Sequence, residues 1–146
     1  TENIITFWIA LTDVPADLGP LFLVERSHQF EDHVSSTIGF DLMKDSIRKA
    51  SITDDPLKYS NKRKAKLLTQ EFLAGDILLF NMLIQHGSFE NYSSEKRIRL
   101  TCDVRFQPEK DPKDPRYFGS NPSGTTGSGY GELNGSKPLN EPWHIR

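Results

Sequence analysis

GDILLFNMLIQHGSFENYSSEKRIRLTCDVRFQP, residues 75–108, is the stretch whose reading decides the fold. Gly75-Asp76 reads as a turn, and the unbroken apolar run 77–80 reads as a strand buried on both faces. Residues 97–106 alternate with a period of two. Ile98, Leu100, Cys102, Val104 and Phe106 share one face, and Arg97, Arg99, Thr101, Asp103 and Arg105 share the other. The charged face is either a hydrated sheet surface or the inside of a small barrel. In a barrel its arginines would need an anion, because an unpaired buried charge costs several kcal/mol. His86, Ser88 and Arg97 lie on and between these runs, an order that suits a metal ligand followed by an anion clamp.

Working outward, further strands are expected at 4–11, 21–25, 67–70 and 83–86, with a turn at 15–20. Residues 40–50 have helical character, with Leu42, Met43 and Ile47 on one side. They fall within a loop and helix insert at about 30–66, whose polar part, 53–66, reads as an exposed excursion. Its basic cluster Lys62-Arg63-Lys64 reads as a charged surface. After Pro108 the chain turns to Pro, Gly, Ser and Asp, and 120–131 holds little that forms regular structure. Tyr117, Phe118, Tyr130, Leu133, Leu139 and Trp143 recur in that tail, which is expected to pack along the barrel. The domain reading is therefore a barrel part at 1–108 and a packed tail at 109–146.

A length of 146 residues suits one domain or part of one. The net charge of −2 argues against a nucleic-acid partner, since backbone binding needs a basic face. No apolar stretch approaches the roughly 18 residues of a membrane span. The single Cys102 excludes an internal disulfide, and its place on the apolar strand face predicts a small buried hydrophobe. The lone cysteine points to an intracellular, cytoplasmic protein.

Two blocks carry a family resemblance. One is His86-Gly87-Ser88, then Asn91, then Arg97 eleven residues after His86; the other is FWIALTDVPADLGPLFLVERSHQ, residues 7–29. Together they resemble the C-terminal half of the catalytic barrel of the phytanoyl-CoA dioxygenase family. The resemblance implies an all-β, double-stranded β-helix of the jelly-roll, cupin-like type. It also implies Fe(II), with 2-oxoglutarate and O₂ as cosubstrates, and hydroxylation of a small organic substrate coupled to decarboxylation of 2-oxoglutarate to succinate. His86 would be the distal histidine of the two-His-one-carboxylate triad. Arg97 would pair with the far carboxylate of 2-oxoglutarate, Ser88 would donate its hydroxyl to the cosubstrate, and Trp8 would wall its pocket. Arg99 shares the face of Arg97 and competes with it as the clamp; the eleven-residue spacing favours Arg97.

The family also needs a His-x-Asp or His-x-Glu pair ahead of the Trp-containing strand. None of the four histidines, His28, His33, His86 and His144, is followed two residues on by an acid. The expectation is that the chain lacks the N-terminal half of the barrel, that its strands leave open edges, that two metal ligands lie outside it, and that it is inactive alone. Three alternatives stay open: a noncatalytic cupin-like binding barrel, a remnant that does not fold, and a metal set made from Glu25, His28, Asp32 and His33.

Overall fold

The computed structural model describes residues 1–39 and 51–113. The helical reading of 40–50 and the packing expected of the tail aromatics lie outside the described residues. Residues 2–38 and 53–109 form one compact unit, and all the elements named below belong to it.

Strand β1, Ile5–Ala10, is rich in β-branched and aromatic residues and alternates in burial. Thr6, Trp8 and Ala10 are buried, while Ile5 is exposed and Phe7 and Ile9 are half-buried. It is the centre of an antiparallel sheet, between β4, Ile77–Asn81, and β6, Thr101–Phe106. A second antiparallel sheet is centred on β2, Leu21–Val24, between β3, Leu67–Leu68, and β5, His86–Ser88. The two sheets meet through Trp8, Ala10 and Phe80 of the first and Leu21 and Leu23 of the second, with Val14, Leu18 and Phe72 completing the core. An isolated bridge between Val14 and Phe72 ties the β1–β2 connection to the chain ahead of β4.

Two packed antiparallel sheets fit the all-β class, but among the described residues they do not close into a barrel. Among those residues each sheet ends in two strands with open edges, β4 and β6 in one and β3 and β5 in the other.

Register decides which face of β6 looks inward. Trp8 lies opposite Asp103, Thr6 opposite Arg105 and Ala10 opposite Thr101, so the charged face is on the core side. The apolar face is turned outward beside Ile5, Phe7, Ile9, Ile77 and Leu79. Cys102 is consequently exposed, which corrects the buried position expected of it. The run 77–80 is likewise not buried on both faces: Phe80 is buried, whereas Ile77 is 50% and Leu79 is 53% exposed on that outward side.

Three strand boundaries also move. Residues 83–85 are not a strand: 82–84 turn, with the Asn81 side-chain oxygen accepting from Leu83 N–H at 3.0 Å and the Asn81 carbonyl accepting from Ile84 N–H at 3.2 Å. Residues 97–100 precede regular pairing, which starts at Thr101. The third strand shrinks to Leu67–Leu68. Within the expected excursion 53–66 the chain folds as helix α2, Pro56–Arg63, with Asp55 capping Lys58 N–H at 2.9 Å and Pro56 in the first turn. A helix α1, Glu31–Thr37, opens the insert. Arg63 is not simply hydrated: it forms a two-pronged pair with Asp32, one prong at 3.0 Å, and lies over the rings of Phe30 and Tyr59. That contact joins α2 to α1.

Candidate functional site

The site is built on the opening of β5. Antiparallel pairing sets His86 opposite Leu23 and Ser88 opposite Leu21, so both point to the core side of their sheet. His86 is exposed on that side and packs its ring against Phe80 of the other sheet, centroids 4.6 Å apart. Its Nδ1 lies 2.9 Å from the Ile84 carbonyl oxygen. A carbonyl can only accept, so Nδ1 carries a proton, and in the neutral ring the Nε2 lone pair is left as the donor. This is the usual arrangement of a metal-binding imidazole, whose other nitrogen is held by a carbonyl or carboxylate.

Gly87 lets β5 approach β2 closely. A side chain there would meet the Phe22 ring at 2.8 Å, and that ring packs on Phe89 with centroids 4.8 Å apart. Phe22 is thus packed against β5 and Phe89, while His86 and Ser88 are the exposed residues of β5.

Arg97 stands in the chain leading to β6 and is exposed. Its guanidinium faces two carboxylates, Glu95 at 3.2 Å and Asp17 at 3.5 Å, so its fork is already in use as a carboxylate binder. Asn91 supports it from behind: the side-chain amide donates to the Arg97 carbonyl at 2.8 Å, and the amide oxygen accepts from Ser93 N–H at 2.9 Å. Arg99, the competitor, is occupied differently. It is half-buried, it donates to the carbonyl of Gly19, and burial pulls its pKa below the usual arginine value while Asp103 opposes that shift. Arg99 clamps a backbone turn; Arg97 meets carboxylates.

Trp8 is 2% exposed and lies edge-on to Phe72 at 4.7 Å, so it is a core residue of the sheet that faces His86. The alternative metal set does not converge. Asp32 is engaged by Arg63, and the His33 ring donates from Nε2 to the Leu83 carbonyl at 3.0 Å. Among the described residues no group of three His, Cys, Asp or Glu side chains is placed to hold a metal ion. The described residues thus do not complete a three-ligand centre around His86.

Sequence reasoning missed the supports of the site. Ser27, fully buried, accepts the Gln85 N–H at 2.8 Å just ahead of His86, and His33 holds the same turn two residues earlier. The only available signal was the Ser-His pair that closes the 7–29 block. Among the described residues no helix is long and apolar enough to cross a membrane.

A comparison with curated proteins found no match to the chain. The family model of phytanoyl-CoA dioxygenase matches residues 1–99, a span holding β1 to β5 together with His86, Ser88 and Arg97. With well over half of its length matched, the chain belongs to the phytanoyl-CoA dioxygenase family, a dioxygenase-type group within the Fe(II)- and 2-oxoglutarate-dependent oxygenases.

Proposed function

We propose that this chain is the cosubstrate-binding part of an Fe(II)- and 2-oxoglutarate-dependent oxygenase of jelly-roll architecture that hydroxylates a small organic substrate. The observation that carries the reading is the exposed His86 imidazole, fixed through Nδ1 on the Ile84 carbonyl, which leaves Nε2 as the nitrogen that could bind a metal. Iron, when bound, supplies the oxygen activation. His86 would hold it through Nε2. The remaining two ligands, a His-x-Asp or His-x-Glu pair, would come from residues outside this chain.

The chain's own residues would bind and orient the cosubstrate. Arg97 would exchange its two ion pairs, with Asp17 and Glu95, for the far carboxylate of 2-oxoglutarate, held by two parallel charge-assisted hydrogen bonds. Ser88, on the same face as His86, donates its hydroxyl to a cosubstrate oxygen. Trp8 stiffens the wall behind them.

The test is succinate formation from 2-oxoglutarate with Fe(II) and O₂, using the protein as its reading frame encodes it. Turnover that His86→Ala abolishes is the expected result. Folded protein that binds a small molecule but forms no succinate would instead make it a noncatalytic binding barrel, the reading that the absent His-x-acid pair keeps open.

A further inference from the structure

The turn ahead of His86 is tied down residue by residue, and its last peptide group is held at both ends by side chains. That group joins Ile84 to Gln85. Its carbonyl accepts the His86 Nδ1–H at 2.9 Å, and its N–H donates to the Ser27 hydroxyl oxygen at 2.8 Å. Ser27 and Gln85 are both buried, at 0% and 5% exposure. The Gln85 carbonyl, in the next peptide, accepts from Val24 N–H at 2.9 Å, so the chain is pinned on both sides of this amide.

A peptide group is planar, and fixing its N–H direction therefore fixes its C=O direction. One rigid amide thus lies between the Ser27 hydroxyl and the His86 ring. Hydrogen bonds in series also polarise each other: an acceptor at the N–H end makes the carbonyl at the other end a better acceptor. Ser27 reaches this point because Arg26 takes a left-handed conformation, φ 55°, which turns the chain back beneath β5 after β2 ends.

We propose that Ser27 is a positioning residue for His86, holding the Ile84–Gln85 peptide in the plane that keeps the imidazole in its Nδ1–H tautomer with Nε2 as the free donor. The consequence for iron rests on His86 being a metal ligand; the tautomer does not. A histidine free in water prefers the Nε2–H form, so dominance of Nδ1–H requires the carbonyl to be held in place.

The experiment is ¹⁵N NMR of the His86 ring in metal-free protein at alkaline pH, where the imidazole is neutral, on the protein as its reading frame encodes it. Wild type is expected to show Nδ1–H as the dominant form and a slowly exchanging Gln85 amide proton. Ser27→Ala is expected to lose that dominance, and Ser27→Thr, which keeps a hydroxyl, to retain it. Fe(II) affinity should fall about 10- to 100-fold in Ser27→Ala. A folded Ser27→Ala protein with the wild-type tautomer would overturn the assignment. So would a wild-type ring found as Nε2–H, a result that needs no variant to fold. Loss of the tautomer in Ser27→Ala alongside a wild type that binds no Fe(II) would uphold Ser27 and defeat the oxygenase reading instead.

Discussion

Replacing Gly19 with alanine should cost far more than a methyl group suggests. Gly19 follows the short 3₁₀ turn Ala16–Leu18 in a left-handed conformation, φ 71° and ψ 62°. A side chain there costs about 1–2 kcal/mol. The added methyl would also lie 3.0 Å from the Glu90 carbonyl carbon and oxygen, and closer still to the Phe89 carbonyl oxygen. These are backbone atoms and cannot swing aside. Relief requires the segment after β5 to retreat by about 1 Å, a shift of the kind that overpacking costs about 1–3 kcal/mol to produce. That retreat weakens the hydrogen bond from Phe89 N–H to the Pro20 carbonyl, 3.1 Å, and the contact of Arg99 with the Gly19 carbonyl. Together the loss should be about 4 kcal/mol, a large part of the roughly 5–15 kcal/mol that stabilises an ordinary domain. The control is Gly75→Ala: Gly75 has φ 95° but nothing within 4 Å of the added methyl, so only the backbone cost of about 1–2 kcal/mol applies. Urea unfolding of both variants, compared at unchanged m-value, measures the difference. Equal destabilisation of the two would show that the packing of the Gly19 turn against residues 89–90 contributes nothing.

Arg97→Ala should raise the 2-oxoglutarate concentration for half-saturation about 10- to 100-fold, the loss of a charge-assisted hydrogen bond of about 1.5–3 kcal/mol; unchanged saturation would remove it as the clamp. Trp8→Ala should destabilise the fold by about 3–5 kcal/mol, because the indole is buried against Phe72, and thermal unfolding reports the loss. The hydrogen bond from Arg63 holds the Asp32 carboxyl below its ordinary 3.8. A depressed carboxyl contributes stability that is present above the unfolded value and lost as pH falls through the lower folded one. An NMR titration should show the Asp32 midpoint returning toward 3.8 in Arg63→Gln, and an unmoved midpoint would assign the shift to another cause.

Hydrophobic pattern made two strands legible, an alternating one and a continuously apolar one. β1 and β2 fall within one residue of the expected ends, because Thr6, Trp8 and Ala10 alternate with less buried neighbours and Leu21 to Val24 is continuously apolar. The same logic misread 77–80, whose continuous apolar run includes an outward face that the described residues leave uncovered. It also misread the strand expected at 83–86, because Asn81 bends the apolar residues Met82, Leu83 and Ile84 into a turn through its side chain, a device that hydrophobic pattern does not encode. For β6 the pattern showed two unlike faces but not which was inward; only the pairing of Trp8 with Asp103 decides that. His86, Ser88 and Arg97 were singled out by the family resemblance, and of these the pairing sets His86 and Ser88 on one face of β5. Ser27 was not, since a buried hydroxyl that accepts from a backbone N–H 58 residues away leaves no local trace.

Iron ligation by His86 is tested most directly by the visible spectrum of the protein, as its reading frame encodes it, titrated anaerobically with Fe(II) and 2-oxoglutarate. A weak charge-transfer band that appears only with both additions, and is lost in His86→Ala, is the predicted result. No band in folded wild-type protein, or a band that persists without the His86 imidazole, would contradict it.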